Sequence, residues 1–177
     1  MDERLQELWD HHRIRQLLAT YCHGCDRLDE AVMASTYAED SWDDHGPNKM
    51  PGKQFSHAIL DLARRTSTLV SHQLGQSLIH VDGDEARAET YFIATSMSPP
   101  DRASGPEVMN QLGGRYVDTL VREGDGWLIK HRTCVREWSN TQPIARDWLA
   151  SSGFVRSERG AGDVGSAALG LVGGDKA

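Results

Sequence analysis

A change of hydrophobic rhythm near residue 66 constrains this chain more than any other feature. Up to Arg65 apolar residues recur three or four apart, and from Thr68 onward they alternate. The first spacing buries one stripe of a helix and the second one face of a strand. Leu5, Leu8, Ile14, Leu17, Leu18 and Tyr21 form one stripe of an amphipathic helix, which Gly24 is placed to end. A short helix is expected after Asp29 through Met33, ending near Tyr37. Ser41 to Pro47 reads as a strand running into a turn at Gly46-Pro47. Phe55, Ile59, Leu60 and Ala63 keep helical spacing over Lys53 to Arg65.

Four strands follow, over Thr68–Val81, Ala86–Met97, Leu112–Arg122 and Trp127–Trp138. Asp82-Gly83-Asp84 and Glu123-Gly124-Asp125-Gly126 supply tight turns, and Pro99, Pro100 and Gly105 mark a longer loop. Helices first and an antiparallel meander afterwards indicate an α+β fold, with the helices on one face of a curved sheet. Such a sheet leaves a conical cavity, a natural site for a small ligand.

The 177 residues are enough for one domain with a real core, expected over residues 1–150. A net charge of −7 with no basic cluster argues against a nucleic-acid partner. No apolar run approaches the roughly 18 residues of a membrane span, and the charged start Met1-Asp2-Glu3-Arg4 does not resemble a secretion signal. Three cysteines fit no disulfide framework and point to a reducing cytoplasm. Residues 151–177 read as an extension, rich in Gly, Ala and Ser and flexible from about 160.

Six segments stand in a telling order: Tyr21-Cys22-His23-Gly24-Cys25-Asp26-Arg27-Leu28-Asp29, Asp43-Asp44-His45-Gly46-Pro47, Ser71-His72-Gln73-Leu74-Gly75-Gln76, Val81-Asp82-Gly83-Asp84 with Ala88-Glu89-Thr90-Tyr91, Gly113-Gly114-Arg115-Tyr116, and Trp127-Leu128-Ile129-Lys130-His131-Arg132. The series, over about residues 5 to 140, resembles the SnoaL-like branch of the nuclear transport factor 2 superfamily. That branch contains scytalone dehydratase, bile acid 7α-dehydratase and hexachlorocyclohexane dehydrochlorinase. The resemblance implies a cone-shaped α+β barrel, a cofactor-independent lyase activity, and dimers or trimers formed through the sheet's outer face. It also implies a dyad of an Asp just after the first helix with a His on the first long strand, here Asp26 and His72. Tyr21 and Arg132 fall on the positions of two assisting groups.

This set suits elimination. A neutral imidazole titrates near working pH and serves as base, and an ionised Asp on its other nitrogen fixes the tautomer. Tyr21 would hydrogen-bond a carbonyl or leaving hydroxyl, and Arg132 would stabilise developing negative charge. Neither a metal nor an organic cofactor is required. The implied substrate is a mostly apolar ring compound: a steroid, a polyketide or a lignin-derived aromatic. Carbon–carbon cleavage, enolate isomerisation and a non-catalytic assembly subunit are the alternatives.

Strand alternation puts Gln76 beside His72, and Arg132, Cys134, Arg136 and Trp138 on one face. Gln76, Arg136, Trp138, Trp42 and Asp44 are thus the expected substrate-binding residues. Arg136 stands where relatives often carry an aromatic residue, which would admit a polar or anionic group. Several of these residues have plainer readings. Tyr21 also fits a core tyrosine, Arg132 a partner of a structural carboxylate, and Trp42 and Trp138 core filling. Asp43, Asp44 and His45 read first as a turn cluster, and otherwise as metal ligands or a second acid–base group. Cys22-x-x-Cys25 lacks the second ligand pair of a zinc site and closes a helix instead of opening one.

Overall fold

The computed structural model describes residues 2–99, 106–145 and 147–171. Helix α1 (Glu3–Arg27) opens on Asp2, whose carboxylate accepts from the Arg4 amide at 2.9 Å. It runs through Gly24 and closes one turn later, where Leu28 takes a left-handed φ of 55°. Gly24 has another duty. A Cβ there would stand 2.6 Å from the Met33 amide nitrogen, so the missing side chain lets α2 (Glu30–Ala34) lie against α1. Asp26 therefore sits in the last helical turn, not after it, on a backbone that holds its side chain in place.

Strands β1 (Tyr37–His45) and β2 (Asn48–Pro51) form a hairpin, and α3 (Gly52–Thr66) follows. The long strands are β3 (Leu69–Asp82), β4 (Glu85–Ser98), β5 (Glu107–Glu123) and β6 (Gly126–Ile144). The six strands form one curved mixed sheet in the order β2-β1-β6-β5-β4-β3, antiparallel except where β1 meets β6. The sheet does not close, so the expected barrel is an open cone with β2 and β3 as its edges. The expected α+β class holds. The β4–β5 loop read from Pro99, Pro100 and Gly105 lies mostly outside the described residues.

Ile14 and Leu18 of α1, Phe55 and Leu60 of α3, and Phe92, Tyr116, Leu120 and Ile129 of the sheet meet in one buried core. Beside it Asp10 accepts from Arg122 at 2.6 and 3.0 Å and from the Trp127 indole at 2.9 Å. Hydrogen bonding to Arg122 is the largest cause that holds this carboxyl down at about 2, against the upward push of burial. A depressed carboxyl stabilises the fold above the usual carboxylate range, and the contribution fades as pH falls toward 2. Asp10→Asn should cost about 2 kcal/mol at pH 7 and progressively less below pH 4, as read by urea denaturation. An equal loss at both pH values would refute the assignment.

Two bulges set the lining of the cavity; another, Lys130 opposite the Thr119–Leu120 step of β5, shifts the phase of β6 earlier, between Ile129 and Arg132. Between Leu74 and Ser77 of β3, Gly75 and Gln76 together oppose Tyr91. On β6, Glu137 is the extra residue opposite the Gly113–Gly114 step. Each extra residue reverses the inside–outside alternation beyond it.

The extension carries α4 (Val164–Leu169), capped by Asp163 accepting from the Gly165 amide at 2.9 Å. Arg27 pairs with Asp163 at 3.2 Å, His23 meets Ser166 at 3.2 Å, and Arg159 donates to the Ser67 carbonyl at 2.7 Å. These contacts lay the segment across the C-terminal ends of α1 and α3.

Candidate active site

A cavity of about 400 Å³ opens between α1, α3 and the inner face of the sheet. Tyr21 and Cys25 of α1 and His72 of β3 form one wall. His45, Cys134 and Arg136 form the facing wall, and Phe55 and Ile59 of α3 cover one side. At the base Phe92 and Tyr116 stack with ring centres 4.1 Å apart.

The Asp26 carboxylate takes both donors of His72. Oδ1 lies 2.6 Å from Nδ1, and Oδ2 accepts from the backbone N–H at 2.9 Å. With the carboxylate ionised, Nδ1 carries the proton and Nε2 keeps its lone pair for the cavity. The two side chains are about nine-tenths buried, so bulk water does not compete for the contact.

A second pair lies across the cavity. On β1 Asp43 and His45 are two residues apart and so share a face. His45 Nδ1 and the Tyr37 hydroxyl both donate to the Asp43 carboxylate, which is fully buried. The His45 ring stacks on Phe55 at 4.4 Å between centres and lines the cavity. The turn reading of this segment survives only for Asp44, which accepts from the Gly46 amide at 2.9 Å. The Asp-x-His spacing on a strand was the signal for the pair.

The structure divides the expected site residues. Tyr21, His72 and Arg136 line the cavity, with Asp26 directly behind His72. Arg132 does not line it. Its guanidinium is fully buried, bidentate to Asp118 at 2.8 and 2.8 Å, and lies between the rings of Tyr21 (4.2 Å) and Tyr116 (4.0 Å). Burial pushes the Tyr21 phenol well above its ordinary range, and the Arg132 charge opposes that push.

Four expected binding residues fall elsewhere. Trp42 and Asp44 alternate with Asp43 and His45 and point to the outer face, where Asp44 pairs with Lys49 at 2.8 Å. Gln76 and Trp138 are turned outward by the two bulges and share a groove on the outer face with Tyr91. Trp138 and Trp42 are each 44% exposed. Ser139 and Thr141, beyond the β6 bulge, line the cavity where simple alternation had put Trp138.

Cys25, Asp26 and His72 each offer a donor atom within 4.8 Å of the others. Burial pushes the Cys25 thiol far up, which keeps it protonated, and Asp26 and His72 are already joined to each other. A metal would have to displace that hydrogen bond. All three cysteines are free.

The model of the SnoaL-like domain matches residues 6–133. The chain belongs to the SnoaL-like domain family. Among solved structures, a putative scytalone dehydratase from Novosphingobium aromaticivorans is similar at a TM-score of 0.66 and 21% identity, covering 89% of this chain and 97% of its own. A Mycobacterium tuberculosis protein of unknown function is similar at 0.65 and 22%, covering 97% and 90%. A hexachlorocyclohexane dehydrochlorinase follows at 0.66 and 14%, covering 81% and 94%. At these identities the likeness establishes the SnoaL-like fold and leaves the chemistry to the site. No curated protein matches the chain.

Proposed function

We propose that this SnoaL-like protein is a cofactor-independent lyase of the dehydratase type, acting on a mostly apolar cyclic small molecule. The observation that carries the reading is the Asp26–His72 contact at 2.6 Å beside an aromatic-lined cavity. His72 Nε2 takes a proton from a carbon acid. Asp26 holds the ring in the productive tautomer and stabilises the imidazolium that forms. Tyr21 hydrogen-bonds the carbonyl or the leaving hydroxyl, and Arg132 acts on it from behind the ring as a positioning group. Across the cavity, His45 protonated on both nitrogens gives its Nε2 proton to the departing hydroxyl, which leaves as water, while Asp43 holds Nδ1.

An assembly subunit has no need of a buried, oriented imidazole, which favours an enzyme. Enolate isomerisation and carbon–carbon cleavage use the same first proton transfer, so product analysis separates them from elimination. The exposed sheet residues Tyr91, Ile93, Val117 and Trp138 fit a homo-oligomer, and the free cysteines fit a reducing compartment. No described helix is long and apolar enough to cross a membrane.

The test is a screen of hydroxylated steroids, polyketides and lignin-derived dimers with wild type and His72→Ala side by side. Loss of water from one class, absent in the variant, is the expected outcome. Turnover that persists in His72→Ala would remove His72 from the mechanism.

A further inference from the structure

The walls of the cavity carry an uneven charge. None of its lining residues is Asp or Glu, and Arg136 alone among them holds a permanent charge, in a chain whose net charge is −7. The carboxylates of Asp26 and Asp43 stand behind the His72 and His45 rings, each already bound by two donors. The guanidinium of Arg132, fully buried behind the lining, is neutralised by Asp118. Arg136 pairs with no carboxylate among the described residues, whereas its neighbour Glu137 binds Arg115 at 2.7 Å.

Several neutral polar groups of the lining, farther along the strands from Arg136, spend their hydrogen bonds on one another. Thr141 donates to Asn110 Oδ1 at 3.0 Å, Asn110 to Ser98 at 3.2 Å, and Gln111 to Thr95 at 3.3 Å. This belt crosses β4, β5 and β6, and Arg136 is the one permanently charged lining group, with no side-chain hydrogen bond or ion pair among the described residues. Arg136 is exposed, so it bears no desolvation cost until a ligand covers it.

Position adds a direction. Leu74, Phe92, Gly114 and Arg136 form one row across β3, β4, β5 and β6, with His72 one step along β3 from that row. Three strand spacings separate β3 from β6, roughly 14 Å around the arc. With β5 and β4 between β6 and β3, Arg136 and His72 line opposite flanks of the inner face. The stacked Phe92 and Tyr116 rings lie between them.

We infer that Arg136 binds a carboxylate on the substrate, at the end remote from the carbon that His72 deprotonates. The substrate class is then a ring compound with an acid side arm, not a wholly apolar one. A guanidinium matches a carboxylate with two parallel hydrogen bonds, which neither an amide nor an ester can accept as well. This inference rests on the proposed reading that the cavity is the active site, but its test measures binding alone.

Biphenyl-4-carboxylate and biphenyl-4-carboxamide, equal in shape and unequal in charge, serve as probes in titration calorimetry. Wild type should bind the acid about tenfold more tightly than the amide at low salt, with the gap narrowing as salt rises. Arg136→Gln should erase the gap by weakening the acid alone, and Arg136→Lys should keep part of it. His72→Gln should preserve it, so failure of the proton-abstraction reading would leave this result standing. The inference is overturned if wild type shows no preference, if the preference survives in Arg136→Gln, or if the acid fails to bind at millimolar concentration.

Discussion

His72→Ala should lower kcat/KM by at least ~10²-fold on whichever substrate the screen returns, the scale that loss of a general base brings. The variant deletes the ring nitrogen that the Asp26 contact leaves free to face the cavity, and neither Tyr21 nor Cys25 beside it can act as base in its place. Tyr21 is held protonated by burial, and Cys25 likewise remains a thiol. His45 is on the opposite wall. Asp26→Asn should come close to the same loss for a different reason. Two donors of His72, the backbone N–H and Nδ1–H, point at the two carboxylate oxygens. An amide offers one oxygen, so one donor is left facing an NH₂ group, and the ring escapes by moving its proton to Nε2. That tautomer cannot act as base. Asp26→Asn turnover within about threefold of wild type would show that the carboxylate does not select the tautomer.

Asp118→Ala should produce the largest loss of stability, about 3–5 kcal/mol in urea denaturation, because it strands a fully buried guanidinium. Arg132 would keep only the faces of Tyr21 and Tyr116, at 4.2 and 4.0 Å, and its Nη1 already has no hydrogen-bond partner. The paired replacement Arg132→Met with Asp118→Leu should recover most of that stability, since apolar side chains of similar volume often replace a buried ion pair without net cost. It also separates two roles. If Arg132 supports Tyr21 in the reaction, the paired variant folds but turns over about tenfold more slowly. If its role is packing alone, turnover returns together with stability.

Most of the fold was legible because its two periods are largely segregated: apart from the β1–β2 hairpin and the short α4, helical spacing lies before β3 and alternation from β3 onward. That His72 and Asp26 meet was legible through motif order, and the place of Tyr21 in the cavity through its position five residues before Asp26. The errors share one physical cause. Alternation predicts a face only while the register holds, and single extra residues on β3 and β6 turned Gln76 and Trp138 outward. Trp42 and Asp44 lie one residue out of phase with the inward pair Asp43 and His45, a phase that the turn signal at Gly46-Pro47 does not reveal. Gly113 carried a faint signal. A side chain there would collide with the Trp138 ring at 2.2 Å, which requires glycine on the outer face.

Because Glu137 is itself the extra residue, losing it and losing the bulge are one event. Deleting Glu137 would join Arg136 directly to Trp138, with Trp138 still opposite Gly113 on the exterior and Ser139 and Thr141 still inside. A deletion farther from the bulge has no such slack and would turn every later side chain of the strand to the other face. The bulge is thus a point of tolerance, where lineages built on this scaffold can shorten the strand without changing what the cavity admits.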